Sequence, residues 1–315
     1  MAQGRPFRFG VINERMGSAA GWVAAARKAE AYGYATFLIR DHFVSEPFGD
    51  QFAPLAALMA AACATTTLRV GTLVLDNDYR HPVVLAKEAA TLDLLSGGRL
   101  ELGIGAGWLR AEYEAAGLAF EPPAIRVARL DEAVRLVKRL WTEAAVTAAG
   151  AYYAVSDLTV SPKPVQRPRP PIMVAGGGRR VLAVAAREAD IVGLAPRSRA
   201  DGTLDPLNIT AAATEQKLAW LREEAGTRLD DLELNVFVYA VEITDDQDGT
   251  AERLAAEFEI PAAEVLASPH ILIGDLDGVV EELHRRRERY GLSYVTVPED
   301  LIDALAPVVA RLAGS

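Results

Sequence analysis

His42 ends the run Arg40-Asp41-His42, directly after an apolar stretch at 34–39. An imidazole placed there can donate, accept or relay a proton near pH 7. A histidine held for structural reasons gives the same local pattern, so position must decide between the two. Two glycine-rich turns follow other apolar stretches. In AGGGRR, Ala175 to Arg180, the glycines Gly176, Gly177 and Gly178 precede a helical pattern. Glycine lets backbone approach a ligand closely, the free N–H groups that open a helix attract anions, and Arg179 or Arg180 can add charge. A flexible turn with exposed arginines is the alternative. GIGAGW, Gly103 to Trp108, lacks the last glycine of the dinucleotide fingerprint because Trp108 stands there. Gly105, Ala106 and Gly107 therefore point to a planar or phosphorylated ligand against a strand end, or to a tight turn, rather than to NAD bound in the Rossmann manner.

Other chemistries lack their residues. There is no H-E-x-x-H and no grouping of two histidines with a carboxylate at ligand spacing, so no metal site is expected. No G-x-S-x-G elbow occurs. His81, before Pro82, reads as the opening of a helix, and His270 and His284 read as exposed. The carboxylates of AEYEA, 111–115, read as a solvated helix face. Cys63 is the single cysteine, which forbids an intrachain disulfide and fits a reducing compartment.

These residues need elements to position them. Short β-branched runs alternate with longer helical patterns. Strands are predicted at 6–12, 34–39, 68–75, 99–104, 171–175, 190–194, 233–241 and 293–297. Helices are predicted near 18–32, 53–64, 82–95, 125–141, 178–187, 208–225, 277–290 and 300–312. Val127, Leu130, Val134, Val137 and Trp141 recur every three or four residues and share one helix face. The last helix repeats this with Leu301, Leu305, Val308 and Leu312, after Asp300 as its cap. Runs such as LRVGTLVL are apolar almost throughout, as in parallel strands covered on both faces. Eight such units point to an α/β fold, a (β/α)₈ TIM-like barrel, with a doubly wound sheet as the alternative.

In a barrel, the residues just past each strand's C-terminal end share one face, where the active site sits. That face gathers Asn13 and Glu14, Arg40 to His42, Asp76 to His81, the two glycine turns and Arg197. Residues 145–170, with Tyr152, Tyr153 and the proline-rich SPKPVQRPRPP, read as an inserted hairpin within a single domain spanning 1–315. Segments 196–207 and 244–270 read as flaps over the mouth.

Half of the 315 residues are apolar, 24% are charged and the mean hydropathy is +0.11, which suits a folded chain with a sizeable core. The net charge of -10 disfavours nucleic acid and anionic membrane surfaces as partners. The opening residues carry no secretion signal, and the longest apolar run, 52–64, falls short of the roughly 20 residues that cross a bilayer. A cytoplasmic protein acting on a small molecule is the expectation.

The motifs FGV, RDHF (40–43), LRVGTLVL (68–75), RHPVVLAKEAATLDLLSGGRLELGIGAGW (80–108), YY followed by SPKP, and PIMVAGGG (171–178) together resemble the luciferase-like monooxygenase superfamily. Within it they are most similar to the branch that uses the deazaflavin coenzyme F420. The likeness is strong over about residues 6–198 and weak beyond. It implies a barrel with an insertion, and a deazaflavin or flavin whose phosphate rests on Gly176 to Gly178. His42, next to Asp41, would lie near the reactive face of the ring. Thr72, Leu73 and Val74 would form a bulge, with a non-prolyl cis peptide at Leu73–Val74, that supports the ring. A homodimer is also implied.

One departure matters. F420-dependent sugar-phosphate and alcohol dehydrogenases of the superfamily carry a catalytic glutamate where this chain has Trp108, and a tryptophan where it has Glu46. That substrate class is therefore not carried over, and the indole suits a flatter, less polar substrate. The expectation is an F420-dependent oxidoreductase delivering a hydride to an activated C=C or C=N bond. His42 would be its catalytic group, and Glu14, Glu46, Tyr79, Trp108 and Arg197 would form the pocket wall. An FMN-dependent monooxygenase and a non-catalytic cofactor-binding barrel are the alternatives.

Overall fold

The computed structural model describes residues 5–13, 17–197, 199 and 205–315. Glu14, and much of the segment 196–207, fall outside them. In chain order the first strands are β1 (Arg8–Asn13), β2 (Thr36–Ile39), β3 (Arg69–Thr72), β4 (Leu75–Asp76) and β5 (Leu100–Gly105). An antiparallel hairpin, β6 (Val146–Ala149) with β7 (Ala154–Leu158), follows as an excursion. Then come β8 (Ile172–Gly176), β9 (Ile191–Leu194), β10 (Glu233–Phe237), β11 (Ala240–Ile243), β12 (Ile271–Gly274) and β13 (Leu292–Pro298). The main sheet runs β3-β2-β1-β13-β10-β9-β8-β5-β4 with every pair parallel, and the pairing of β3 with β5 closes it into an eight-stranded barrel. The third staff of the barrel is β3 and β4 together, separated by Leu73 and Val74, whose shared peptide bond is cis.

Helices wrap the barrel: α1 (Ala19–Ala31), α2 (Pro54–Ala64), α3 (Pro82–Leu95), α4 (Arg110–Ala115), α5 (Pro123–Thr142) and α6 (Arg179–Glu188). α7 (Ala211–Ala225), α10 (Leu276–Tyr290) and α11 (Ile302–Leu312) complete them, while α8 (Gln247–Phe258) and α9 (Ala262–Ala267) pack beside the barrel on β11 and β12. On the expected face of α5, Val127 is half-buried, while the other four residues, Leu130, Val134, Val137 and Trp141, are at most 3% exposed. Each such side chain stabilises the fold by about 1.5–3 kcal/mol. His81 caps α3, its Nδ1 accepting the Val83 N–H at 3.2 Å.

Three expectations fail for local reasons. Asp300 does not cap α11, because a 3₁₀ turn, Glu299–Leu301, carries it and the helix begins at Ile302. The predicted strand 233–241 breaks after Phe237, and its second half leaves the barrel to pair with β12. The four-residue run of β12 was too short to stand out. Around β11 and β12, Leu254, Ile260 and Val265 build a small separate core with α8 and α9, so 244–270 is mostly helix packed on this pair. His270 is the third correction. It is fully buried there, with its Nδ1 2.8 Å from the Phe237 carbonyl, and burial pushes the imidazole down to about 3.

The barrel interior has two polar ends and an apolar middle. At the N-terminal end, Arg8 bonds to Glu101 at 2.6 Å and to Glu233 at 2.7 and 2.8 Å, and Arg69 bonds to Glu101 at 2.6 Å. Above them Ile12, Leu38, Leu73, Met173, Phe237 and Tyr294 form an apolar layer, the floor of the space at the opposite end.

Candidate active site at the C-terminal end of the barrel

That space is a cavity of about 850 Å³, large for a small-molecule site. It gathers residues from the ends of β2, β4, β5, β8, β9 and β10. His42 enters from the β2 end, Leu73 and Val74 from the bulge, Gly105 to Trp108 from β5, and Ala175 to Arg180 from β8. Asp41 and Arg197 also line it. Among the described residues, seven arginines line it against three carboxylates, Asp41, Asp76 and Glu112. An acidic chain thus has a basic mouth, which favours an anionic ligand.

Three expected residues stand elsewhere or do other work. Thr72 is buried in the barrel wall, its hydroxyl donating to the Gly103 carbonyl at 2.7 Å and accepting the Gly103 N–H at 3.0 Å. Glu46 is exposed and does not line the cavity. Tyr79 turns its hydroxyl to Glu112 at 2.8 Å instead of to the cavity. Glu14 lies outside the described residues.

Each mouth segment has its own anchor. Asp41 is buried, receives both terminal nitrogens of Arg80 and accepts the Asp76 N–H at 3.0 Å, so it ties the β2 and β4 ends together. Buried Arg126 donates to the Ala106 carbonyl at 2.7 Å and to that of Gly107, fixing the β5 turn. Gly107 has φ +71°, and a Cβ there would lie 2.0 Å from the Tyr113 hydroxyl, so the turn admits only glycine. Gly178 forms the N-cap of α6 with no side chain to accept its first N–H groups, and a Cβ on it would enter open space. Those N–H groups have no side-chain acceptor from the cap.

The sequence reading missed one carboxylate of the site. Glu112, assigned to a solvated face, is 1% exposed. Its Oε2 lies 2.9 Å from His42 Nδ1, and its Oε1 accepts the N–H of Phe43 and, at 3.3 Å, that of Val44. Burial opposes its charge, but the bonds from His42, Phe43 and Tyr79 outweigh it and hold the carboxyl below its usual range. The one available signal was that α4 starts five residues past the end of β5, within a mouth loop. Asp76, expected at this face, is a further buried carboxylate: burial pushes it up to about 7, although Tyr113 donates to its two oxygens at 2.6 and 2.8 Å. Around His42, Phe48 and Trp108 stand with ring centroids at 5.2 and 6.0 Å.

A closed parallel barrel whose strand ends converge on a ligand-sized cavity defines a TIM-like barrel, a fold whose active sites lie at its C-terminal face. A family model described as luciferase-like monooxygenase matches residues 6–309, and the chain belongs to that family. It is 40% identical over 191 residues to an F420-dependent glucose-6-phosphate dehydrogenase of Kineococcus radiotolerans, covering 59% of this chain and 56% of that one. It is 31% identical over 166 residues to an FMNH(2)-dependent dimethylsulfone monooxygenase of Pseudomonas putida, covering 52% and 46%. The chain thus spans about half the length of the curated relatives it matches. An F420-dependent secondary alcohol dehydrogenase, solved in complex with an F420–acetone adduct, shares the fold across 98% of this chain and 99% of its own, at a TM-score of 0.75 and 18% identity. Among the described residues no helix is long and apolar enough to cross a membrane, and no cluster of metal-ligating side chains occurs.

Proposed function

We propose that this chain is an F420-dependent oxidoreductase that moves a hydride between the deazaflavin and an activated C=C or C=N bond of a flat, weakly polar organic substrate. One observation carries the reading: the uncapped glycine turn before α6 and the imidazole of His42 open into the same cavity, with Leu73 and Val74 also in its wall. The residues fit such a cofactor. Gly176 to Gly178 and Arg180 would hold its phosphate at the helix N-terminus. Leu73 and Val74 would support the ring, and His42 would face its reacting edge. When bound, reduced F420 supplies the hydride; the protein orients the two partners, excludes water and holds the proton. Trp108 and Phe48 narrow the wall beside His42, which supports a planar substrate over a sugar phosphate.

The dimethylsulfone relative supports a second reading, an FMN-dependent monooxygenase. Anaerobic oxidation of reduced F420, followed by absorbance against a panel of activated alkenes and imines, separates the two. Acceptor-dependent oxidation without dioxygen is expected. No oxidation with any acceptor, together with oxygen-dependent turnover on reduced FMN, would overturn the proposal.

A further inference from the structure

We infer that Glu112 is the positioning residue of His42: it accepts the Nδ1 proton and so commits Nε2 as the nitrogen that exchanges a proton with substrate. The inference rests on the proposed role of His42. A neutral imidazole bears its proton on one nitrogen only, and the partner of the other nitrogen selects which. Here that partner is a carboxylate, buried, ionised and held on both oxygens. Its Oε2 meets His42 Nδ1 at 2.9 Å and the Tyr79 hydroxyl at 2.8 Å, while Oε1 takes the backbone N–H groups of Phe43 and Val44. A carboxylate accepts and does not donate, so His42 Nδ1 must carry hydrogen.

The same bonds fix the geometry. The two N–H groups that Oε1 accepts belong to the residues directly after His42, so Glu112 pins the backbone of this turn as well as the ring. Phe48 and Trp108 flank the imidazole and limit its rotation. When a hydride reaches one atom of the substrate's double bond, the π electrons move to the other atom. That atom takes the proton from Nε2 as the N–H bond breaks and its electron pair stays on the ring. Nδ1–H remains on Glu112 throughout, and the carboxylate stabilises the imidazolium before transfer. In this chain Glu112, a turn further along, orients the acid/base imidazole, while Trp108 serves as pocket wall.

Nitrogen-15 NMR of the protein labelled at its four histidines tests this directly, with the His42 signals assigned by loss in His42→Gln. The expected result at a pH where His42 is neutral is a protonated Nδ1 and a bare Nε2. A protonated Nε2, or an even mixture of tautomers, overturns the inference. Glu112→Gln is the second arm, with folding checked by circular dichroism. The amide can offer its own N–H to the ring, so the His42 tautomer should shift. Turnover should fall on the order of 10–100-fold, the loss typical when a metal-ligating imidazole loses its orienting carboxylate, with KM for F420 nearly unchanged. Full turnover in Glu112→Gln alongside a crippled His42→Ala would sink the positioning role and leave the proposed function intact. Full turnover in both would instead remove His42 from the reaction.

Discussion

The two ends of the barrel bury the same kinds of side chain to opposite effect. At the N-terminal end, Arg8 and Arg69 meet Glu101 and Glu233 within 2.6 to 2.8 Å, and Arg8 also lies 4.2 Å above the Tyr294 ring. Charges there balance, and each group is held by its neighbours. At the C-terminal end, among the described residues, arginines outnumber carboxylates around an open volume, and the N-terminus of α6 has no side-chain cap. Buried ionisable groups therefore do not mark a site by themselves. What marks one is an excess of one charge, unengaged backbone donors and room for a ligand. The lower end holds the barrel closed and the upper end is left incomplete.

This contrast is open to attack from both sides. His42→Ala should cut turnover by about 10²–10⁴-fold, the usual contribution of an acid/base group, while thermal unfolding and F420 affinity barely move; steady-state kinetics on the folded variant decides. Glu101→Ala should do the reverse. It leaves Arg8 and Arg69 without their shared carboxylate, which should cost on the order of 3–5 kcal/mol in denaturant unfolding, with F420 affinity kept. If Glu101→Ala weakened cofactor binding and not stability, the lower end would belong to the site after all.

Asp76 gives a smaller effect with a definite sign. Its folded value, about 7, lies above its unfolded value of 3.8, so between them the folded state keeps a proton that the unfolded state has released. Stability should therefore fall as pH rises from about 4 to about 7. Asp76→Asn should flatten that limb and make the protein more stable above pH 7 by on the order of 2–4 kcal/mol. Identical pH profiles for the two proteins, measured by urea unfolding, would contradict this.

The barrel was legible because strands covered on both faces are apolar almost throughout, and because the glycine turns and His42 sit where such strands end. Glu112 was not legible. Six-residue α4 is too short to show a buried face, and its carboxylate becomes internal only when the β2 end folds over it. His270 was hidden for a similar reason, since β11 and β12 bury it and four-residue strands leave little periodicity to read. Tyr79 and Glu46 were expected in the pocket wall and do not line the cavity, because direction is set by packing: Tyr79 lies against Phe43 at 4.4 Å and points to Glu112. Position along the chain reports which end of the barrel a residue occupies, and only the packed structure reports which way it turns.

The most direct measurement is an equilibrium titration of F420 fluorescence with the wild-type protein and with Gly177→Val. A Cβ at Gly177 would lie 2.5 Å from the Ala195 carbonyl and 2.7 Å from the Arg197 nitrogen, so the valine must push the β8 turn out of the shape proposed to hold the phosphate. Saturable binding by the wild type, weakened at least about tenfold (1.4 kcal/mol) in the variant, is the predicted result. Equal affinity for both proteins, or no binding of F420 by a wild type that binds FMN, would contradict it.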